Sequence, residues 1–207
     1  MDIYRIGDIK YLKVSWKRLE EIVEELSKKI SRDYEFDLLV GILRGGLVVA
    51  HLLSDIMGID EIYPIGCSSY VDVYKRSKLK IYHPLILNDL KKKRVLVVDD
   101  VADSGVTLKS IIEKVIAPKN PEDCKTATLH IKPWSIFKPD YYVEMVDAWI
   151  VYPWEKYEMI RLLGPKFIEL LGEEKAVTEL AEIIDKDRSK VREILLAVSS
   201  TSNTTVS

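Results

Sequence analysis

Residues 95–98 read Val-Leu-Val-Val and run directly into Asp99 and Asp100; Val101 and Ala102 then lead to the small-residue stretch Asp103-Ser104-Gly105-Val106-Thr107. An unbroken, largely β-branched run of this kind suits a strand buried on both faces of a parallel sheet. The two carboxylates therefore fall at the carboxyl end of that strand, which is where open α/β sheets bind ligands. Leu108, Ile111, Ile112 and Val115 follow at helical spacing, so the small residues lead into a helix whose first amides are free to face an anion. An ordinary βα connection also uses Asp and Ser as caps and Gly as a turn residue. The Asp-Asp pair alone does not separate the two readings.

The rest of the chain repeats the alternation. Trp16, Leu19, Ile22, Val23, Leu26 and Ile30 predict an amphipathic helix after Ser15 that ends near Arg32 and Asp33. Residues 38–43 read as a strand, and Arg44-Gly45-Gly46 turn from it into a helix over 47–57, with His51 read as a core position. A strand over 61–68 precedes a polar, basic, tyrosine-rich stretch, 69–80, that suits a mobile loop or hairpin. A strand over 127–131 continues the order. Alternating strands and helices of this kind predict a doubly wound, mostly parallel α/β sheet. From 140 to 154, aromatic and β-branched residues between Pro139 and Pro153 predict a small hood subdomain over the sheet's edge. Helices are expected over 155–171, 176–184 and 189–198. The domain reading is thus a core with its hood over 1–156, a helical extension over 157–198 and a disordered Ser/Thr-rich tail over 199–207.

With 207 residues, 47% of them hydrophobic, the chain can bury a substantial core without a second catalytic domain. A net charge of −2 gives no general attraction to nucleic acid or anionic membrane, so a phosphate ligand has to be captured locally. No apolar run is long enough to span a bilayer, and the first residues lack the basic-then-apolar order of a secretory signal. A cytoplasmic protein with no membrane partner is expected. Cys67 and Cys124 form no CxxC pair and read as buried apolar residues, and His51, His83 and His130 show no metal-ligand spacing.

Taken in register, apolar strand, Asp99-Asp100, Asp103, Ser104-Gly105 and Thr107 resemble the signature of the type I phosphoribosyltransferases. The resemblance implies that Asp99 and Asp100 hold the ribose hydroxyls of phosphoribosyl pyrophosphate and that Asp103, Ser104, Gly105, Val106 and Thr107 cradle its 5′-phosphate. Arg44 and Gly45 match the family's pyrophosphate loop, where side-chain-free residues let the backbone approach the ligand closely. Ser69 and Tyr70 match the Ser-Tyr pair of the loop that folds over the substrate in purine-type members. His130-Ile131-Lys132-Pro133, followed by Tyr142-Val143, Trp149-Ile150 and Pro153-Trp154, resembles the purine-binding region of the bacterial xanthine-guanine enzymes. Lys132 takes the place of the lysine that donates to purine O6, and Trp149 with Ile150 that of the base-stacking pair.

The resemblance implies a purine phosphoribosyltransferase of purine salvage, favouring 6-oxopurines, with Asp103 as the carboxylate that accepts a proton near N7. It also implies Mg2+ as cofactor, approached by Asp99 and Asp100 directly or through ribose hydroxyls or water, and a homodimer. Where the xanthine-guanine enzymes carry a carboxylate after the Trp-Ile pair, this chain has Val151. An adenine-using member of the same scaffold therefore stays open as an alternative.

The stretch 176–195 has the cadence of a helix-turn-helix, with apolar positions at 177, 180, 184, 191 and 195. Lys186, Arg188, Lys190 and Arg192 supply a partly basic face, which Asp185, Asp187 and Glu193 offset. A helical hairpin that packs on protein is expected over one that reads DNA. The competing class is a regulator that senses phosphoribosyl pyrophosphate and binds DNA through these helices.

Overall fold

A computed structural model describes residues 3–71 and 77–202, with side chains given except at 69–71, 77–79 and 198–202. In chain order the elements are β1 (Ile3–Ile6), β2 (Ile9–Lys13), α1 (Trp16–Ile30), β3 (Leu38–Leu43), α2 (Gly45–Met57), β4 (Ile62–Val71), β5 (Ser77–His83), β6 (Arg94–Ala102), α3 (Val106–Ile111), β7 (Asp123–Ile131), β8 (Tyr141–Met145), β9 (Trp149–Val151), α4 (Lys156–Leu171), α5 (Glu173–Ile184) and α6 (Arg188–Ser202). They form two compact units, one over Lys17–Asp147 and the other combining the residues up to Trp16 with those from Ala148 onward.

The central unit is built on a six-stranded sheet of order β5-β4-β3-β6-β7-β8. Neighbours from β4 to β8 run parallel, and β5 pairs antiparallel at one edge. Val95, Leu96, Val97 and Val98 are fully buried, as the unbroken apolar run requires. Leu38, Val40, Ile42, Val95 and Val97 share a core with Leu108, Ile111, Val115 and Ile116 from α3 and the π-helical turn that extends it. On the opposite face of β3, Gly41 lies against Leu47 and Ala50 of α2. Helices on both faces of a mostly parallel sheet make this a doubly wound fold, as expected.

The stretch 140–154 departs from the hood reading. Its first part, β8, extends the main sheet by pairing with β7, and its half-buried tyrosines suit an edge strand. Its second part, β9, belongs to the other unit, where it pairs in parallel with β2. The stretch 69–80 contributes to the β4–β5 hairpin, with residues 72–76 outside those described. His51 is exposed rather than core; Cys67 is buried and Cys124 half-buried.

The second unit contains the β1–β2 hairpin, in which Gly7 takes a left-handed turn and the rings of Tyr4 and Tyr11 stack 5.3 Å apart. Its core joins Ile6, Tyr11 and Val151 to Phe167, Val177, Leu180, Ile184, Val191 and Leu195 of the three helices. The amino-terminal hairpin thus groups with the carboxyl-terminal helices, a division different from a boundary at 156/157, because β2 finds its hydrogen-bonding partner in β9. Helix α6 runs to Ser202, so 199–202 are helical rather than tail, and 203–207 lie outside the described residues.

Candidate active site

The carboxyl end of β6 carries Asp99, half-buried, and Asp100, which is 7% exposed. Adjacent on a strand, they point to opposite faces. Asp99 Oδ1 accepts from the amide of Asp100 at 3.0 Å, and Asp100 Oδ1 accepts from Val101 N at 2.9 Å. Helix α2 begins hard against this strand end. A Cβ on Gly46 would lie 2.5 Å from Val98 O and 2.8 Å from Asp99 Cα, so only glycine allows the approach. That contact brings the Arg44-Gly45 turn to the acidic pair, with Arg44 exposed and Gly45 buried.

Beyond Ala102 the chain leaves the strand and lines a cavity of about 150 Å³ with Asp99, Asp103, Ser104, Gly105 and Thr107. Gly105 has φ +77°, a left-handed conformation that L side chains rarely adopt, and α3 starts directly after it. Ser104 Oγ accepts from Val106 N at 3.4 Å. The size and the row of small residues suit one phosphate group.

A second segment braces this loop. Lys132 N donates to Ala102 O, and Ile136 N to Ser104 O, each at 3.0 Å. Gly105 is so close to Phe137 N and Ser135 Oγ that a Cβ would lie 2.6 Å from each. Lys132 is 7% exposed, and burial pushes its ammonium below the usual lysine range while the charges of Asp103 and Asp147 oppose the shift. Asp103 itself is exposed, and its Oδ1 accepts from the indole Nε1 of Trp134 at 2.9 Å. Sequence reasoning stopped at Pro133 and missed Trp134. The only signal was a large aromatic placed two residues after a lysine already singled out.

A polar cluster around the buried His130, in the same unit, was also missed. His130 Nε2 lies 3.3 Å from Glu144 Oε2, and Arg18 pairs with the other oxygen of Glu144 at 2.5 Å. Contact with His130, reinforced by Arg18 and opposed by burial, holds Glu144 down to about 2 from an ordinary 4.5. A carboxylate depressed in the folded state stabilises above its unfolded pKa, and this contribution is lost as pH falls toward the folded value. The unfolding free energy of wild type, measured by urea titration, should therefore drop relative to that of Glu144→Gln between pH 6 and pH 3, by on the order of 1–3 kcal/mol for a side chain partly screened by solvent. Parallel acid curves for the two proteins would contradict this.

Of the other residues singled out, Ser69 and Tyr70 lie on β4, in register with Leu79 and Lys78, and their side chains are outside those described. Trp149 and Ile150 belong to the other unit, Trp149 exposed and Ile150 buried. In α5 and α6 the apolar positions 177, 180, 184, 191 and 195 are all buried. Arg192 pairs with Glu174 and Lys190 with Glu193, each at 2.7 Å. Asp185, left-handed at the turn between these helices, binds Lys13 at 2.6 Å and Lys156 at 3.1 Å.

The phosphoribosyl transferase domain family matches residues 15–157, well over half the chain. The chain belongs to the type I phosphoribosyltransferases. Xanthine-guanine phosphoribosyltransferases of Idiomarina loihiensis and Gluconobacter oxydans are 29% and 30% identical to it, over 70% and 71% of this chain and 86% of each relative. Among solved structures, a purine phosphoribosyltransferase from Pyrococcus horikoshii is 38% identical over 70% of this chain and 93% of its own, with a TM-score of 0.63. The cavity at the end of β6 and the acidic pair beside it both lie within the residues the family matches.

Proposed function

We propose that this phosphoribosyltransferase acts on purines and favours 6-oxopurines, converting base and phosphoribosyl pyrophosphate to nucleoside 5′-monophosphate and pyrophosphate in purine salvage. The observation that carries the reading is the buried Lys132 beside Asp103 at the rim of a phosphate-sized cavity. A sugar-phosphate sensor needs the cavity but has no use for a desolvated donor and a carboxylate next to it. The names of the relatives, which act on xanthine, guanine or purines, support the substrate class.

In this reading Ser104, Gly105, Val106 and Thr107 hold the 5′-phosphate, Asp99 and Asp100 the ribose hydroxyls, and Arg44 with Gly45 the pyrophosphate. Purine N9 forms the bond to ribose C1 as the C1–oxygen bond to pyrophosphate breaks, its electron pair leaving with pyrophosphate. The proton released at N7 passes to Asp103. Lys132 donates to O6, and Trp149 and Ile150 contact the base on the strength of the sequence resemblance alone. Ser69 and Tyr70 are assigned to the substrate-covering loop on the same ground.

No group of three or more His, Cys, Asp or Glu side chains among the described residues forms a ready-made metal cage. Asp99 lines the cavity, and a hard carboxylate at a substrate site fits Mg2+, which binds through one or two carboxylates together with substrate oxygens and water. When bound, Mg2+ neutralises charge developing on the leaving pyrophosphate; Asp99 and Asp100 would hold it directly or through ribose hydroxyls. A cytoplasmic homodimer is likewise proposed from the resemblance. No helix among the described residues is long and apolar enough to cross a membrane.

Lysine has donors and no acceptor, so Lys132 favours a carbonyl at position 6 over the amino group of adenine. Val151, 1% exposed, contributes no polar group where the relatives' pattern has a carboxylate, so the 2-position is left to other contacts. Turnover with adenine, hypoxanthine, guanine, xanthine and uracil tests the assignment. Hypoxanthine and guanine should be used, and Lys132→Ala should impair both selectively. Good use of adenine with neither oxopurine would overturn it.

The helical extension is read as packing, since its apolar stripe is buried and two of its cations, Lys190 and Arg192, are paired with acids. Fluorescence anisotropy with duplex promoter fragments should then show no sequence-specific binding, with or without phosphoribosyl pyrophosphate. Specific binding that weakens steeply with salt would promote the regulator reading.

A further inference from the structure

Trp134 meets both members of the proposed base-reading pair, Asp103 and Lys132. Its position is set by the backbone: Ser135 N donates to Lys132 O at 3.0 Å, closing a turn around Pro133 and Trp134, and Ile136 N anchors the segment to Ser104 O. From that turn the indole Nε1 reaches Asp103 Oδ1 at 2.9 Å, while the ammonium of Lys132 sits 5.7 Å from the ring centroid. An indole N–H is a donor only, so it selects one carboxylate oxygen as acceptor and leaves the other to take a proton. The ring face offers Lys132 an electrostatic partner that compensates for lost water, in addition to the charges of Asp103 and Asp147.

We propose that Trp134 is a positioning residue for base recognition: its N–H fixes the orientation of Asp103, and its ring fixes the ammonium of Lys132. The proposal rests on the acid–base reading of Asp103 and the O6 reading of Lys132, and it extends them to a side chain that needs no contact with the base. The two contacts are separable. Trp134→Phe keeps a ring face and removes the donor, whereas Trp134→Gln keeps an amide donor of similar reach and removes the ring.

Steady-state kinetics with hypoxanthine should show kcat about 10-fold lower in Trp134→Phe, with the KM values of both substrates little changed. Trp134→Gln should retain more of kcat and raise the KM for hypoxanthine by about 3- to 10-fold, with the KM for phosphoribosyl pyrophosphate held. A purely structural tryptophan would instead move kcat and both KM values together in both variants, and that pattern overturns the proposal, as would wild-type kinetics in both. Asp103→Asn in the same assay separates the proposal from its premise. Loss of rate in Asp103→Asn beside an unaffected Trp134→Phe overturns the indole tie alone, whereas a wild-type rate in Asp103→Asn overturns the acid–base reading and the tie with it. The indole N–H resonance absent from Trp134→Phe gives a reading independent of turnover. It should shift in Asp103→Asn, and a resonance that stays in place overturns the contact.

Discussion

Replacing Asp103 by Asn is expected to lower turnover about 10²- to 10⁴-fold while leaving phosphoribosyl pyrophosphate binding close to wild type. The substitution exchanges one carboxylate oxygen for an amide and keeps the size of the side chain. The carbonyl oxygen of Asn can still accept from Trp134, and the bonds that hold the loop, from Lys132 N to Ala102 O and from Ile136 N to Ser104 O, involve backbone alone. The phosphate cradle therefore keeps its shape. In the proposed mechanism, what disappears is the capacity to take a proton from the base as N9 attacks. Initial rates at saturating substrates measure the loss, and calorimetric titration with phosphoribosyl pyrophosphate and Mg2+ measures what remains. An unchanged rate would remove Asp103 from the chemistry.

Gly46→Ala should also be damaging, for a different reason. Its new Cβ meets Val98 O and Asp99 Cα, both backbone, so no side chain can swing aside. Helix α2 must withdraw from β6, and the Arg44-Gly45 turn withdraws with it from the acidic pair. Strain of this kind in a packed interior costs about 1–3 kcal/mol, and the KM for phosphoribosyl pyrophosphate should rise at least about 10-fold. Gly58→Ala supplies the control. Gly58 is left-handed at φ +66° with nothing within 4 Å, so it should cost about 1 kcal/mol of stability and leave that KM alone.

The parts of the molecule legible in the sequence are those whose physics is local. The buried run 95–98, the acidic pair and the glycine-bearing turns could be placed because strand burial, charge and left-handed backbone each leave a mark on neighbouring residues. Pairings between distant segments leave no such mark. Tyr141 to Met145 looked like hood because its half-buried aromatics fit an edge strand and a small subdomain equally well, and only the pairing of Ala127 with Tyr141 decides. The 3–13 hairpin went unread because its exposed outer strand has no strong alternation. Trp134 and the His130–Glu144–Arg18 cluster depend on loop geometry and on a helix 126 residues from its partner carboxylate, which no periodicity reports.

The pairing of β2 with β9 has a consequence for how the chain assembles as it is made. The unit over 17–147 is contiguous, so everything it needs emerges in one run. The other unit is split, and Tyr11 meets its partner Trp149 only after the whole of the 17–147 unit has been translated. At about 5–20 residues per second the amino-terminal hairpin waits roughly 7–30 s for its neighbour strand. Vectorial synthesis thus orders the two units in time: the contiguous unit with the loop that lines the β6 cavity emerges first, and the split unit closes only with the strand that bears Trp149 and the helices that follow it.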